Sequence, residues 1–253
     1  MPISATTSKI SHSSACATAI SRLALPVAIL LGGCAAPAEK PPVATGTLAQ
    51  ANLVDIRSLA PDIAEDIKYA GSDNFVGTPV DGYEAAKCYL LRPAAEALAG
   101  VERSLRTDHR RLLLWDCYRP ARAVRHFVRW GGDLADQRTK ATHYPHLDKR
   151  VLLGDYIAPR SGHSRGATMD LTLLQCDAHD EHCTPLDMGT PFDYFDPRAN
   201  TDSTDVTPAQ RANRDLLRTA MKRGGFRNYP FEWWHYTLDP EPTPDTYYDL
   251  PIR

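Results

Sequence analysis

The sequence predicts an α+β fold, a single compact domain in which helices flank a mainly antiparallel central sheet. Amphipathic helical patterns and short strand patterns both occur along the chain. The strand patterns do not alternate with helices in the regular order of a parallel sheet, and no internal repeat is visible. The chain has 253 residues, 43% of them hydrophobic, which is enough for one good core and short for two.

The first half of the predicted domain contains two short strands and a helix. Residues 53–57 and 65–69 have the composition of strands, and turn-forming residues follow them. Residues 92–106 are predicted to form a helix, with Pro93 tolerated in its first turn. Apolar residues recur there at helical spacing, at Ala94, Ala97, Leu98, Val101 and Leu105.

A buried strand and a second helix come next. The strand is predicted between Arg111 and Arg119, and the helix begins at Pro120. The apolar face of that helix carries Val124, Phe127 and Val128. A less regular insert follows at residues 131–160, and its basic residues and histidines predict a surface excursion.

Three elements complete the predicted domain. Residues 167–174 alternate well enough for a strand. Residues 208–224 form an amphipathic helix that Gly224 and Gly225 close. Residues 233–238 are predicted to form the last strand.

The first 33 residues have the features of a bacterial lipoprotein signal peptide. Lys9 and Arg22 precede an apolar run at residues 23–33, and no acidic residue occurs before Glu39. That run is too short to span a bilayer. It ends in the sequence LGGC, which resembles a lipobox and places a lipid on Cys34.

This signal implies a periplasmic protein with a lipid anchor, and Ala35 is the type of residue that permits sorting to the outer membrane. The alternative is an ordinary cleaved signal with an incidental cysteine. Residues 34–52 are rich in Pro, Ala, Gly and Thr, which predicts a flexible tether. The folded domain is therefore expected at residues 53–253.

Four cysteines remain once Cys16 leaves with the signal and Cys34 carries the lipid. An even number of cysteines in an oxidising compartment predicts two disulfides. The expected pairs are Cys176 with Cys183 and Cys88 with Cys117. The first pair is favoured because the short stretch between its cysteines resembles a loop, and it leaves the second.

A metal site is the alternative interpretation of the later cysteines. Its ligands would be Cys176, His179, His182 and Cys183. Exposed loop histidines are common, however, and thiolate ligands would compete with disulfide formation. The disulfide is therefore the expected state.

The stretch SGHSRGATMD holds the first pair of candidate metal ligands. Imidazole and carboxylate groups bind zinc at roughly 2.0–2.2 Å. His163 and Asp170 are seven residues apart, which places them on opposite faces of a regular strand. They converge only if the chain bends between them, and Gly162 and Gly166 permit a bend. The alternative is a core histidine bonded to a nearby side chain.

The stretch FEWWHY places Glu232 and His235 between large rings. With His235 as a third protein ligand, the metal keeps a fourth position for water, as catalysis requires. Glu232 is then close to the same metal. Desolvation by Phe231, Trp233 and Trp234 is expected to raise its pKa, which suits a general base. The alternative is a surface glutamate next to a structural histidine.

The stretch DCYRP places Arg119 at the end of the predicted buried strand. An arginine stays charged and donates hydrogen bonds in a planar fork, so it can stabilise an oxyanion that forms in a transition state. The alternative for Arg119 is a salt bridge with Asp116 or Asp170.

In combination, four stretches resemble the D-alanyl-D-alanine dipeptidases, zinc enzymes related to the vancomycin-resistance dipeptidases. The stretches are DCYRP, SGHSRGATMDLTLL, LDMGTPFDYF and FEWWHYTL, in this order and with these gaps. The similarity extends upstream through DIKYAGSDNFVGTPVDGY and covers residues 53–238.

The resemblance implies a role for each matching residue. The residues that match the ligands of one Zn²⁺ per chain are His163, Asp170 and His235. Glu232 matches the catalytic base, and Arg119 matches the arginine that stabilises the tetrahedral intermediate. In this family both charged ends of a free dipeptide are bound, and Ser161 and Asp187 are the candidates by motif position. The alternative for Asp187 is a turn, because DMGT has the composition of a tight turn.

The activity that the resemblance implies is zinc-dependent hydrolysis of D-Ala-D-Ala. The export signal favours turnover of wall-derived dipeptide in the cell envelope. One alternative is a peptidoglycan D,D-carboxypeptidase or endopeptidase of related fold, and another is a non-catalytic lipoprotein that binds wall peptides. A formal net charge of −2 gives no reason to expect nucleic acid as a partner, and the sequence points to no protein partner.

Overall fold

The structure of the protein is a computed structural model that describes residues 41–253. The predicted signal peptide, Cys34 and the first part of the predicted tether lie outside the described residues. Among the helices that are described, none combines the length and apolarity that a membrane span requires.

Residues 41–253 contain strands, α-helices and short 3₁₀ turns. The strands are β1 (Leu53–Asp55), β2 (Ala64–Glu65), β3 (Tyr89–Leu91), β4 (Arg110–Asp116), β5 (Thr168–Gln175), β6 (Thr184–Pro185), β7 (Phe226–Asn228) and β8 (His235–Leu238). The α-helices are α1 (Arg92–Leu105), α2 (Ala121–Gly132), α3 (Lys140–His143), α4 (Leu152–Asp155) and α5 (Pro208–Arg223). The 3₁₀ turns are Ile56–Ser58, Lys68–Ala70, Arg106–Asp108, Lys149–Val151, Gly162–Arg165 and Pro197–Ala199.

The central sheet has the strand order β2-β4-β5-β8-β7, and β6 pairs with the end of β5. Only β2 and β4 run parallel among the paired strands of residues 41–253. β1 and β3 form a separate antiparallel pair. The predicted α+β fold is confirmed, with a sheet that is mixed through one parallel pair. β5 is buried along almost its whole length, because side chains on both of its faces are covered.

The three long helices follow the sequence prediction. α1 carries Pro93 in its first turn, and α2 starts directly after Pro120. α5 begins with a capping box, in which Thr207 and Gln210 bond each other's backbone N–H groups. It ends before Gly224, where an added Cβ would lie 2.3 Å from a methyl carbon of Val101. A glycine there allows α5 to pack closely against α1.

Several predicted strands are shorter than expected, and β1 and β4 end at Asp55 and Asp116. β2 covers only Ala64–Glu65, because the chain turns into the 3₁₀ segment Lys68–Ala70 after two further residues. β8 starts at His235 rather than at residue 233. The preceding residues form turns, in which Glu232 N–H donates to the Tyr229 carbonyl and His235 N–H to the Glu232 carbonyl.

The insert at residues 131–160 is largely exposed, as predicted, but a few of its residues pack against the domain. Lys149 is buried, and its ammonium group donates to the carbonyls of Asp133 and Asp136. The same ammonium lies 3.7 Å from the centre of the Trp130 ring. Tyr144 is buried edge-on against Trp130. Lys149, one of the basic residues that suggested a surface, therefore helps to anchor the insert to α2.

Residues before the predicted domain start at residue 53 also pack against the domain. Val43 N–H donates to the Tyr247 carbonyl, and Asp249 N–H donates to the Val43 carbonyl. Leu48 is partly buried against the core. The last ten residues of the predicted tether are thus held against the domain by its C-terminal segment and core.

Both predicted disulfides are present in the structure. Cys88 is bonded to Cys117, and Cys176 is bonded to Cys183. The second bond removes both thiolates that the alternative metal site required. In the loop that this disulfide closes, the Asp180 carboxylate lies 3.0 Å from His109 Nδ1.

Candidate active site

Two neighbouring strands and one turn bring three metal-binding side chains together. Asp170 on β5 and His235 on β8 are direct partners in the antiparallel register. His163 comes from the 3₁₀ turn Gly162–Arg165, just before β5. That turn ends at Gly166, whose φ of 78° is favourable only for glycine. An added Cβ there would also lie 2.8 Å from a methyl carbon of Leu53. The bend that the spacing required is therefore present.

The donor atoms of these residues have the spacing of a metal site. His163 Nε2 lies 3.2 Å from His235 Nδ1 and 3.2 Å from Asp170 Oδ2. His235 Nδ1 lies 3.0 Å from Asp170 Oδ1. A tetrahedral site with bonds of roughly 2.0–2.1 Å has ligand atoms about 3.3 Å apart. Within residues 41–253, only these three form a group with this capacity among His, Cys, Asp and Glu.

Each donor atom is oriented towards a cation. The Cys117 carbonyl accepts a hydrogen bond of 2.8 Å from His163 Nδ1, which leaves Nε2 unprotonated in the neutral ring. Asp170 Oδ1 is buried and accepts no hydrogen bond of regular geometry. Burial alone would raise the pKa of Asp170, but the two neighbouring histidines hold it well below its usual range. An ionised carboxylate and two ring nitrogens suit a divalent metal such as zinc.

Glu232 lies on the rim of this group. Its Oε2 is 3.3 Å from His235 Nδ1, and its side chain is 25% exposed. Burial raises the pKa of Glu232 from 4.5 to about 7, and the carboxylate of Asp170 adds to the effect. Trp233 and Trp234 are buried as predicted, but Phe231 is 60% exposed. The tight turn points the Phe231 ring outwards, so it is not part of the apolar surroundings that the sequence suggested.

Arg119 is fixed by a carboxylate and two rings. Its guanidinium donates to Asp116 Oδ2 through Nε and Nη2, at 2.9 and 2.8 Å. The guanidinium carbon lies 5.1 Å from the Tyr69 ring centre and 5.0 Å from that of Phe127. Nη2 is also 3.6 Å from Asp170 Oδ2. Arg119 is therefore held beside the metal group as a charged donor, and its salt bridge with Asp116 positions it.

The two residues proposed for substrate contact differ in location. Ser161 lines the cavity of the metal group, and its hydroxyl lies 3.5 Å from Arg119 Nη1. Asp187 does not line this cavity but a separate depression. Its carboxylate accepts from Gly189 N–H and from the Gln210 side-chain amide. Asp187 thus occupies the turn that was its alternative interpretation, and the prediction that it reaches the site is corrected.

Asp193 and Tyr69 are cavity residues that the sequence did not single out. Both are buried, and the Tyr69 hydroxyl donates to Asp193 Oδ2 at 2.8 Å. Burial raises the pKa of Asp193 well above its usual range. Asp193 lies in the same stretch as Asp187, LDMGTPFDYF, so the motif was noticed but the wrong acid was chosen. An aspartate flanked by two aromatic residues was the signal that pointed to the buried one.

The cavity itself is small. It has a volume of about 310 Å³ and contains the metal-binding group, Arg119, Ser161, Asp193 and Glu232 on its walls. Pockets at the low end of the usual range of ≈ 300–1,000 Å³ suit small ligands. The arrangement joins a metal site, a carboxylate base, a fixed guanidinium and a buried acid in one space.

Comparisons with known proteins agree with this geometry. The family described as D-Ala-D-Ala dipeptidase matches residues 49–253. A D-alanyl-D-alanine dipeptidase of Streptomyces coelicolor is 45% identical over 198 residues, which cover 78% of this chain and 96% of that protein. A D-alanyl-D-alanine dipeptidase of Enterococcus faecium is 39% identical, over 74% of this chain and 92% of that protein. A D-alanyl-D-alanine dipeptidase of Escherichia coli is 35% identical, over 74% of this chain and 84% of that protein. The chain therefore belongs to the D-Ala-D-Ala dipeptidase family, whose members are metallopeptidases.

Proposed function

We propose that this protein is a zinc-dependent dipeptidase that hydrolyses free D-alanyl-D-alanine to two D-alanines in the bacterial cell envelope. The observation that carries the proposal is one small cavity that brings together His163, Asp170, His235, Glu232 and Arg119. The names of the relatives support the substrate. The geometry of the cavity supports the role proposed below for each residue.

The donor set fits zinc. The two ring nitrogens and one carboxylate have the spacing of a tetrahedral edge, and the buried Asp170 oxygen lacks a regular hydrogen bond. A zinc ion held there would polarise the scissile carbonyl and activate a water molecule. His163, Asp170 and His235 would be its protein ligands, one ion per chain.

Glu232 is the general base in this proposal. It stands on the rim of the ligand group with its carboxylate 3.3 Å from His235 Nδ1. A carboxylate with a raised pKa takes a proton near neutral pH and can return it to a leaving amine. Glu232 would therefore accept the proton of the attacking water and deliver it to the nitrogen of the departing D-alanine.

Arg119 would stabilise the negative charge that develops on the carbonyl oxygen. The Asp116 carboxylate and the rings of Tyr69 and Phe127 hold its guanidinium in place before substrate binds. A donor that needs no reorganisation favours the transition state over the ground state.

Asp193 would bind the ammonium group of the dipeptide. A buried carboxyl with a raised pKa becomes ionised when a cation approaches it. Ser161, next to Arg119 on the cavity wall, would contact the other end of the substrate. A substrate held by its free ammonium in a cavity of about 310 Å³ has little room for a longer N-terminal chain. This favours the dipeptide over a peptidoglycan stem peptide.

The envelope location rests on the N-terminal sequence and the cysteines. The lipobox-like ending at Cys34 supports a lipid anchor in the periplasm, with sorting to the outer membrane. Two disulfides in the domain support an oxidising compartment. A protein there would meet wall-derived D-Ala-D-Ala rather than the cytoplasmic precursor.

A substrate panel tests the proposed function. Purified protein is incubated with D-Ala-D-Ala, L-Ala-L-Ala, N-acetyl-D-Ala-D-Ala and a stem pentapeptide ending in D-Ala-D-Ala, and released alanine is quantified. Rapid release from free D-Ala-D-Ala alone is the expected result. Release from the pentapeptide at a higher rate would instead assign a D,D-carboxypeptidase, and no release from any substrate would favour a binding protein.

A further inference from the structure

The Cys88–Cys117 disulfide lies directly beside the active-site residues. Cys117 follows Asp116, the carboxylate that holds Arg119, and its own carbonyl accepts the hydrogen bond of His163. We propose that this disulfide is a positioning element of the active site, which fixes the segment 116–119 so that His163 and Arg119 keep their catalytic orientation. The proposal rests on the function proposed above.

The regular pairing of the central sheet does not continue through this segment. The pairing of β4 with β5 becomes irregular between Leu114 and Asp116, at the point where the strand enters the site. Beyond β4 the backbone is held by two hydrogen bonds, from Tyr118 N–H to the Tyr89 carbonyl and from Arg119 N–H to the His163 carbonyl. The Cys117 carbonyl shares its planar peptide group with Tyr118 N–H, so this hydrogen bond to β3 and the neighbouring disulfide together set its position.

The other half of the disulfide is firmly anchored. Cys88 is fully buried, immediately before β3, and its carbonyl accepts from Ile56 N–H. β3 in turn pairs with β1. The disulfide thus ties the irregular end of β4 to a separate, well-packed strand pair.

Three active-site contacts depend on the position of this segment. The Cys117 carbonyl keeps the proton of His163 on Nδ1, so that Nε2 is free to bind a cation. The Asp116 carboxylate accepts hydrogen bonds from the Arg119 guanidinium and from the Tyr83 hydroxyl. A shift of the Cys117 backbone would therefore disturb a metal ligand and the oxyanion donor together.

The second disulfide offers a matched comparison within the same chain. Cys176–Cys183 closes a largely exposed loop beyond the end of β5. Six residues of extended chain separate Asp170 from Cys176, which at about 3.3 Å per residue places that bond roughly 20 Å away along the strand. Both disulfides restrict the unfolded chain, but only Cys88–Cys117 contacts the site.

The test compares two double variants of the full chain, Cys88→Ala with Cys117→Ala and Cys176→Ala with Cys183→Ala. Zinc affinity is measured by competition with a chromophoric chelator, and kcat and KM for D-Ala-D-Ala are measured below the Tm of each variant. We expect the first variant to bind zinc about 10-fold to 100-fold more weakly, as for loss of a partner that orients a ligand. Its kcat should fall by at least about tenfold, with KM changed less than kcat. The second variant should keep zinc affinity and kcat within about twofold of the parent.

Folding is controlled separately. Cys88→Val with Cys117→Ala refills the buried volume of the bond and is the version to use if the alanine pair does not fold. Equal zinc affinity and kcat in a folded variant, with only a lower Tm, would overturn the positioning role. If the parent protein does not hydrolyse D-Ala-D-Ala, the proposed function fails, while the zinc affinities still decide whether the disulfide orients His163.

Discussion

Asp170 and His235 are directly paired residues of adjacent antiparallel strands, with Asp170 Oδ1 3.0 Å from His235 Nδ1. The sheet register therefore sets the spacing of two metal ligands, and the turn at His163 adds the third. This arrangement makes the metal site a property of the central sheet rather than of a loop, which favours precise ligand geometry.

Replacement of His235 by alanine should abolish metal binding. Loss of a residue that only hydrogen-bonds a metal ligand typically weakens metal binding about 10-fold to 100-fold. Loss of one of the three ligands themselves is expected to weaken zinc binding by more than this. Zinc content after dialysis, measured by atomic spectroscopy, should fall from about one per chain to near zero. His179→Ala, in an exposed loop, is the control that should retain the metal. Full zinc content in the His235 variant would contradict the ligand assignment.

The raised pKa of Glu232 predicts a pH-dependent stability in the metal-free protein. Its pKa is 4.5 when unfolded and about 7 when folded, so the folded state binds more protons between these values. The free energy of unfolding should therefore fall as the pH rises from 4.5 to 7, by up to about 3 kcal/mol from this group.

Glu232→Gln lacks this titration and should gain stability relative to the parent as the pH rises. Chelator-treated parent and variant are compared by urea denaturation at pH 5 and pH 8. A difference between the two proteins that stays constant across this range would show that burial does not raise the Glu232 pKa.

Replacement of Arg119 by lysine should lower kcat with little change in KM. Lysine keeps the charge but loses the planar fork that binds Asp116 through two nitrogens. Loss of an oxyanion donor costs about 10²-fold in kcat. Steady-state kinetics on D-Ala-D-Ala measures this, with Arg129→Lys on the exposed side of α2 as the control. A change in KM alone would contradict this role and would indicate that Arg119 binds the substrate in the ground state.

Asp193 and Asp187 provide a direct test of which acid binds the substrate ammonium. Asp193→Asn should lower kcat/KM for D-Ala-D-Ala by about 30-fold or more, because loss of a buried charge partner costs about 2–5 kcal/mol. Asp187→Asn, in its exposed turn, should have less than a threefold effect. The opposite ranking of the two variants would restore the original assignment to Asp187.

The sequence was sufficient for the fold class and for the residues that meet at the metal site. Helix α5 was predictable because its cap, its periodicity and its terminal glycines are all local signals. The convergence of His163 and Asp170 was implied by the family resemblance, and the bend that it requires was predictable because a glycine such as Gly166 permits the left-handed conformation.

Features that depend on tertiary contacts were not predictable. Asp187 and Asp193 lie six residues apart in one motif, and only the packing against Tyr69 distinguishes the buried acid from the turn. The sequence around Lys149 has the composition of a surface segment. The Lys149 side chain is nevertheless buried, because its ammonium group packs on the Trp130 ring and donates to two backbone carbonyls. The packing of Val43 against the domain depends on the C-terminal segment, which is about two hundred residues away in sequence.

Metal removal and restoration tests the central claim most directly. The purified protein is treated with a chelator, dialysed, and assayed for D-alanine release from D-Ala-D-Ala before and after addition of one equivalent of Zn²⁺, with Glu232→Gln in parallel. We predict that activity is lost with the metal and restored by zinc in the parent, and that the variant binds zinc but stays inactive. Undiminished hydrolysis in the metal-free protein, or full activity in the variant, would contradict the account.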